Sequence, residues 1–146
     1  MNRNRERSER KPDRAQPSRN ALVESAIAAR EKAIAPYSQF KVGAALQTKD
    51  GHVYSGCNIE NISYGLTVCA ERVALLKALS EGAREFAEIA IVTDASVLTT
   101  PCGPCRQLLW EYCGDIPVYL HSLKGMDREH RLAEFFPFPF DNRNLK

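Results

Sequence analysis

Three cysteines and one glutamate fall in two short clusters, Thr67-Val68-Cys69-Ala70-Glu71-Arg72 and Pro101-Cys102-Gly103-Pro104-Cys105, and each cluster opens a helix-like run. Zinc takes four ligands, and a catalytic zinc keeps one of the four positions open for water. Cys69, Cys102 and Cys105 supply three thiolates and leave that position free. A chain built this way has to bring two helix starts, 33 positions apart in sequence, to a single point. Cys102-x-x-Cys105 has the spacing at which two thiolates bracket one ion, whereas a structural zinc ribbon needs a second Cys-x-x-Cys that this chain lacks. A thiolate at a helix start also faces the positive end of the helix dipole.

Three thiolates on a divalent ion leave a net negative charge, which blunts the metal as a Lewis acid. Arg72, one helical turn from Cys69, is placed to offset it; its plainer role is an exposed first-turn cation. Glu71 lies two residues from Cys69, and inside a regular helix those side chains diverge by about 200°. Cys69 must therefore sit at or before the first turn, and Glu71 then points toward the open position and can shuttle protons. Taken alone, a first-turn glutamate is only a partner for the dipole.

A chain of 146 residues fits one domain with a core of its own. It has no apolar run near the ~20 residues that span a bilayer, and its charged N-terminus has no apolar stretch behind it. A cytoplasmic location with no membrane contact is the expectation. Five cysteines, an odd number and clustered, fit metal ligation in a reducing compartment better than disulfides. Cys57 and Cys113 are expected to be buried free thiols.

Residues 1–17 read as a disordered basic tail and residues 18–146 as a single catalytic domain. Residues 1–19 hold seven basic groups against three acidic ones, a net of +4, so the remaining body carries −2 of the chain's total of +2. A body of that sign argues against nucleic acid as the main partner.

The chain then alternates. A helix is expected from Ser18 or Asn20 to Ala35, ended by Pro36, with Leu22, Val23, Ala26, Ile27, Ala33 and Ile34 as its stripe. Strands are expected over 40–46 and 52–57 around a turn at Lys49-Asp50-Gly51, with small residues at 43–45 for close packing. Residues 58–68 read as a loop. A helix over 69–79 buries Val73, Leu75, Leu76 and Leu79; a strand over 89–92, a helix over 104–112 and a strand over 117–120 follow. Residues 128–132 read as a weak fifth strand and 133–136 as a short helix. The order implies a three-layer α/β/α sandwich with a mixed central sheet of about five strands.

A His- or Cys-x-Glu followed by Pro-Cys-x-x-Cys is the signature of zinc deaminases, in which the glutamate is not a ligand. Over roughly residues 20–140 the chain resembles the small homotetrameric cytidine deaminases. The resemblance rests on four blocks in order: residues 36–45, Gly56-Cys57-Asn58-Ile59-Glu60-Asn61, Cys69-Ala70-Glu71-Arg72 and Pro101-Cys102-Gly103-Pro104-Cys105-Arg106-Gln107. It implies zinc-dependent hydrolytic deamination of cytidine and 2′-deoxycytidine to uridine and 2′-deoxyuridine, with release of ammonia, in pyrimidine salvage. It implies one Zn²⁺ per subunit on Cys69, Cys102 and Cys105, with Glu71 as the catalytic acid and base. Asn58 and Glu60 would bind the sugar 3′-hydroxyl, the Ala70 backbone the base, and Phe40 would pack on the base. Arg72 would donate to a zinc thiolate. Phe140, with Tyr64 near the same junction, would reach a neighbouring subunit's site in a homotetramer whose active sites are shared. Residues 126–131 are more charged than the last strand of that family.

Two other readings stay open at this point: a deaminase of a related aminopyrimidine nucleoside such as blasticidin S, and a non-catalytic zinc protein. The second leaves Glu71, Asn58 and Glu60 without a purpose.

Overall fold

Small side chains at 43–45 let helices press on both faces of a central strand. In the computed structural model, which describes residues 19–145, that strand is β1 (Gly43–Thr48), and all six of its residues are buried. The basic tail expected over 1–17, and Ser18 as a candidate helix start, lie outside the described residues. β1 pairs antiparallel with β2 (Val53–Cys57) on one side and with β3 (Phe86–Thr93) on the other. β4 (Pro117–Ser122) runs parallel to β3, and β5 (Met126–Arg131) closes the far edge antiparallel to β4. The sheet is thus mixed and five-stranded, in the order β2-β1-β3-β4-β5.

Alternation along the strands divides the core in two. Ala45, Ala90, Val92 and Tyr119 face α1 (Arg19–Arg30), which contributes Leu22, Val23 and Ala26. Ala44, Leu46, Ile89, Ile91, Val118 and Leu120 face the other way, toward α2 (Ala70–Ser80) and α3 (Gly103–Cys113). The result is the expected three-layer α/β/α sandwich. Gly43 is needed where it stands, because a methyl group there would collide with the Ala26 carbonyl oxygen of α1.

The structure corrects three details. First, α1 stops at Arg30 instead of Ala35. The chain is drawn out of the helix by Ile34, whose N–H donates to Asn58 O (3.0 Å) and whose carbonyl accepts from Glu60 N (2.8 Å). Second, α2 buries Ala70, Glu71, Ala74, Leu75 and Ala78, while Leu76 is exposed. Small residues face inward because α2 lies directly on Gly56 of β2. Third, the charged 126–131 segment is a full strand. At a sheet edge its outward side chains meet water, and charge there protects the edge from further pairing. The short helix α4 (Leu132–Phe135) follows, and single 3-10 turns occupy Tyr64–Leu66, inside the expected loop, and Asn142–Leu145. Among the described residues, no helix is long and apolar enough to cross a membrane.

Candidate active site

Both cysteine clusters lie at helix starts. Cys69 is the N-cap of α2 and Cys102 the N-cap of α3, each with extended backbone (φ −72°, ψ 153° and φ −68°, ψ 168°). Cys105 follows in the first turn of α3, fully buried, and Pro104 beside it lacks only an N–H that has no helical partner there. α2 and α3 pack together on one face of the sheet, and their starts converge. The three Sγ atoms lie within 4.8 Å of one another. Among the described residues, this is the only group of three or more His, Cys, Asp or Glu side chains able to share an ion.

The fit to zinc follows from spacing and charge. Tetrahedral zinc with Zn–S bonds of about 2.3 Å has S···S edges of about 3.8 Å. Cys69 Sγ and Cys102 Sγ stand 3.7 Å apart. Without a cation these thiols compete for protons. Cys69 is held below the usual thiol range by the hydrogen bond from Cys105 and by the Arg72 guanidinium, and Cys105 is pushed well above it by the Cys69 thiolate and by burial. A divalent ion would replace those protons and relieve the crowding. Together the three cysteines form a group able to hold one metal ion.

Glu71 stands at the second helical position of α2, so its side chain need not diverge from that of the N-cap Cys69. Only 6% of it is exposed. Burial, reinforced by the Cys69 thiolate, lifts its carboxyl to about 7. Arg72 donates from Nη2 to Cys69 Sγ at 3.6 Å and to Thr67 O at 3.2 Å. It therefore meets the thiolate rather than open solvent.

A cavity of about 240 Å³ opens beside the thiols, lined by Phe40, Asn58, Glu60, Ala70 and Glu71 together with Cys69, Cys102, Ser38, Val42, Thr67, Val68, Thr99 and Thr100. Asn58 is spent on the backbone that enters β1. Its Oδ1 accepts from Val42 N (2.8 Å) and its Nδ2 donates to Phe40 O (2.7 Å), which fixes Phe40 at the cavity wall. Glu60 accepts from Tyr37 N (2.8 Å), from Ser38 N (3.2 Å) and from the Ser38 hydroxyl. Those donors, the hydroxyl first, hold its carboxyl below the usual range.

Two of the residues expected to contact substrate lie outside this cavity. Tyr64 is 74% exposed and lines an adjoining depression with Tyr37, Ser38 and Glu60. Phe140 is 60% exposed on the C-terminal segment. Conversely, Ser38, Thr99 and Thr100 line the cavity without having been assigned a role. Thr99 and Thr100 directly precede Pro101-Cys102, and that adjacency is the signal that could have found them. A larger cleft of about 380 Å³ lies between the β1–β2 turn and the α2–β3 loop. It has no cluster able to share an ion, so the chemistry belongs to the smaller cavity.

The family profile described as "Cytidine and deoxycytidylate deaminase zinc-binding region" matches residues 17–120. Cytidine deaminase of Halalkalibacterium halodurans is 53% identical over 128 residues, covering 87% of this chain and 97% of that protein. Cytidine deaminase of Sporosarcina psychrophila is 48% identical over 125 residues, covering 85% of this chain and 92% of its own. A crystal structure of cytidine deaminase from Burkholderia pseudomallei superposes with a TM-score of 0.82 at 50% identity, over 85% of this chain and 100% of that one. A family profile that matches most of this chain, and relatives about half identical over nearly their whole length, place the chain in the cytidine and deoxycytidylate deaminase family.

Proposed function

We propose that this chain hydrolyses cytidine and 2′-deoxycytidine to uridine and 2′-deoxyuridine, releasing ammonia. The observation that carries this is the buried Glu71 carboxyl, set beside three ion-spaced thiols in a cavity of nucleoside size. Zinc on Cys69, Cys102 and Cys105 supplies a Lewis acid that makes water a competent nucleophile near neutral pH. Glu71, lifted to about 7, takes one proton from the attacking water and delivers it to N3 of the pyrimidine, then takes the proton of the new C4 hydroxyl and passes it to the departing ammonia, leaving the C4 carbonyl of the uridine. Phe40 packs on the base, the Ala70 backbone hydrogen-bonds to it, and Arg72 offsets the negative charge of the thiolates. Asn58 and Glu60 hold the sugar hydroxyl; the 3′-hydroxyl is common to ribose and deoxyribose, so both nucleosides are substrates.

The protein acts as a homotetramer whose sites are shared, with Phe140 and Tyr64 serving a neighbouring copy. Tyr37 and Tyr64 line a depression that shares Ser38 and Glu60 with the cavity, and Ile34, Ile59, Ile62 and Leu66 of the same chain segments are exposed too, which supports cover by another chain. Residues 18–146 act as one catalytic domain. A reducing, cytoplasmic compartment suits a site built on free thiols.

The test is ammonia release from cytidine by the purified protein and by Glu71→Gln, with zinc content measured on both. The variant should keep its zinc and lose about 10²–10⁴ in kcat. Full activity in Glu71→Gln would remove the role given to this residue. Turnover of blasticidin S in preference to cytidine would overturn the choice of substrate.

A further inference from the structure

The outer face of α3 ties the cysteine loop to the C-terminal segment through two adjacent side chains. Arg106 follows Cys105 directly. Its Nε donates to Pro101 O (2.6 Å), its Nη2 to Thr100 Oγ1 (3.0 Å) and its Nη1 to Phe135 O (2.7 Å), with the guanidinium 5.6 Å above the Phe135 ring. Gln107 Nε2 donates to Phe140 O at 2.9 Å. One turn further on, Trp110 packs edge-on against Phe136 at 6.4 Å. Both ends of the segment from Phe135 to Phe140 are therefore fastened to neighbouring positions of one helix. Between them, Phe138 bulges outward with φ 55° and is 99% exposed.

We infer that Arg106 and Gln107 are positioning residues that lock the zinc-ligand loop and the aromatic C-terminal segment to one another, so that the helix that presents two thiolates also sets where Phe140 is presented. The planar guanidinium satisfies three acceptors at once, a geometry that a lysine ammonium on a flexible stem does not reproduce. Carbonyls at Pro101 and Phe135 held this way keep the residue before Cys102 and the last residue of α4 at a fixed separation. The inference rests on the reading that Phe140 serves a neighbouring copy's cavity. It adds that the neighbour's cavity is shaped by the same two side chains that brace this copy's metal loop.

Three variants of the zinc-loaded oligomer test it: Phe140→Ala, Gln107→Glu and Arg106→Lys. Gln107→Glu keeps size but turns the donor to Phe140 O into an acceptor. It should raise KM for cytidine about 3–10-fold with a much smaller change in kcat, because a contact made in ground and transition state alike is lost. Arg106→Lys should raise KM similarly and, in addition, speed zinc loss to a competing chelator by about tenfold, an effect read without turnover. Phe140→Ala calibrates the expected KM effect. A Phe140→Ala enzyme with normal KM sinks the shared-site reading. If Phe140→Ala raises KM while Gln107→Glu leaves it normal, the clamp itself is wrong. Unaltered zinc release in Arg106→Lys refutes the brace on the metal loop. A purely structural role would lower thermal stability in either variant without the KM shift.

Discussion

The sharpest perturbation is a single methyl group at Gly56. A Cβ built there would stand 2.6 Å from Ala74 N, 2.7 Å from Ala70 O and 2.8 Å from the Val73 Cβ. Two of these atoms are backbone of α2, so no side chain can swing aside. Reaching an ordinary contact near 3.4 Å requires α2 to back away from β2 by about 0.8 Å. Overpacking of this kind costs about 1–3 kcal/mol. Alanine's lower conformational freedom in a strand returns about 0.5–1 kcal/mol. The net loss for Gly56→Ala is about 0–2.5 kcal/mol, toward the upper end because three close contacts are made at once, or up to roughly 10 °C in Tm for a chain of this size. The first turn of α2 carries Glu71, with Cys69 capping it, so displacement should also lower kcat/KM by up to about 10²-fold. Thermal unfolding of the zinc-loaded protein at fixed concentration reads the first effect, and steady-state cytidine turnover the second. Gly65→Ala is the stability control, since nothing lies within 4 Å of its Cβ. A Gly56→Ala protein that is destabilised yet turns over normally would refute the claim that β2 sets the depth of Glu71.

Other expectations are narrower. Arg72→Gln removes a charged donor from the Cys69 thiolate, a loss worth about 1.5–3 kcal/mol, so kcat/KM should fall about 10–100-fold with zinc still bound. Unchanged kcat/KM in that variant would mean the negative charge of the thiolates is balanced elsewhere. Burial lifts the Cys113 thiol to about 12, so above about pH 8.5 the unfolded chain sheds a proton that the folded one keeps. Its contribution to stability is then lost as pH rises, by at most about 1.4 kcal/mol per unit between about 8.5 and 12. Denaturant titrations should find that Cys113→Ala flattens this alkaline decline relative to the parent protein. Parallel pH profiles for the two would show the thiol to be unperturbed.

Much of this site could be read from the chain because helix starts are local. The polar-to-apolar switch at Cys69 and the Pro-Cys opening at Cys102 each announce an N-terminus without reference to the rest of the fold. The 200° argument for Glu71 needed only helical geometry. Gly43-Ala44-Ala45 announced close packing for the same reason: small side chains at consecutive strand positions make both faces approachable. What could not be read is long-range. The end of α1 depends on Ile34 finding Asn58 and Glu60, more than twenty residues away. The inward face of α2 depends on Gly56, which meets the helix at Ala70 and Ala74, so a hydrophobicity stripe placed Leu76 inside although it faces out. The charged β5 violates strand propensity and yet forms, because its partner β4 supplies the ladder and its outer face meets water.

Asn58, proposed to bind the sugar, also has a structural task. Both of its amide atoms hold the backbone around Phe40 and Val42, and its own carbonyl receives the N–H that ends α1. The oxygen is committed to Val42, whereas the amide nitrogen carries two hydrogens and gives one to Phe40 O, which leaves one donor for a ligand. A sugar hydroxyl meeting Asn58 would therefore act as an acceptor there and as a donor toward Glu60, whose carboxylate only accepts when ionised. That assignment gives the pair a direction: nitrogen to hydroxyl oxygen, hydroxyl hydrogen to carboxylate. A nucleoside lacking the hydroxyl offers neither half, and the backbone that Asn58 and Glu60 hold in place would stay as it is.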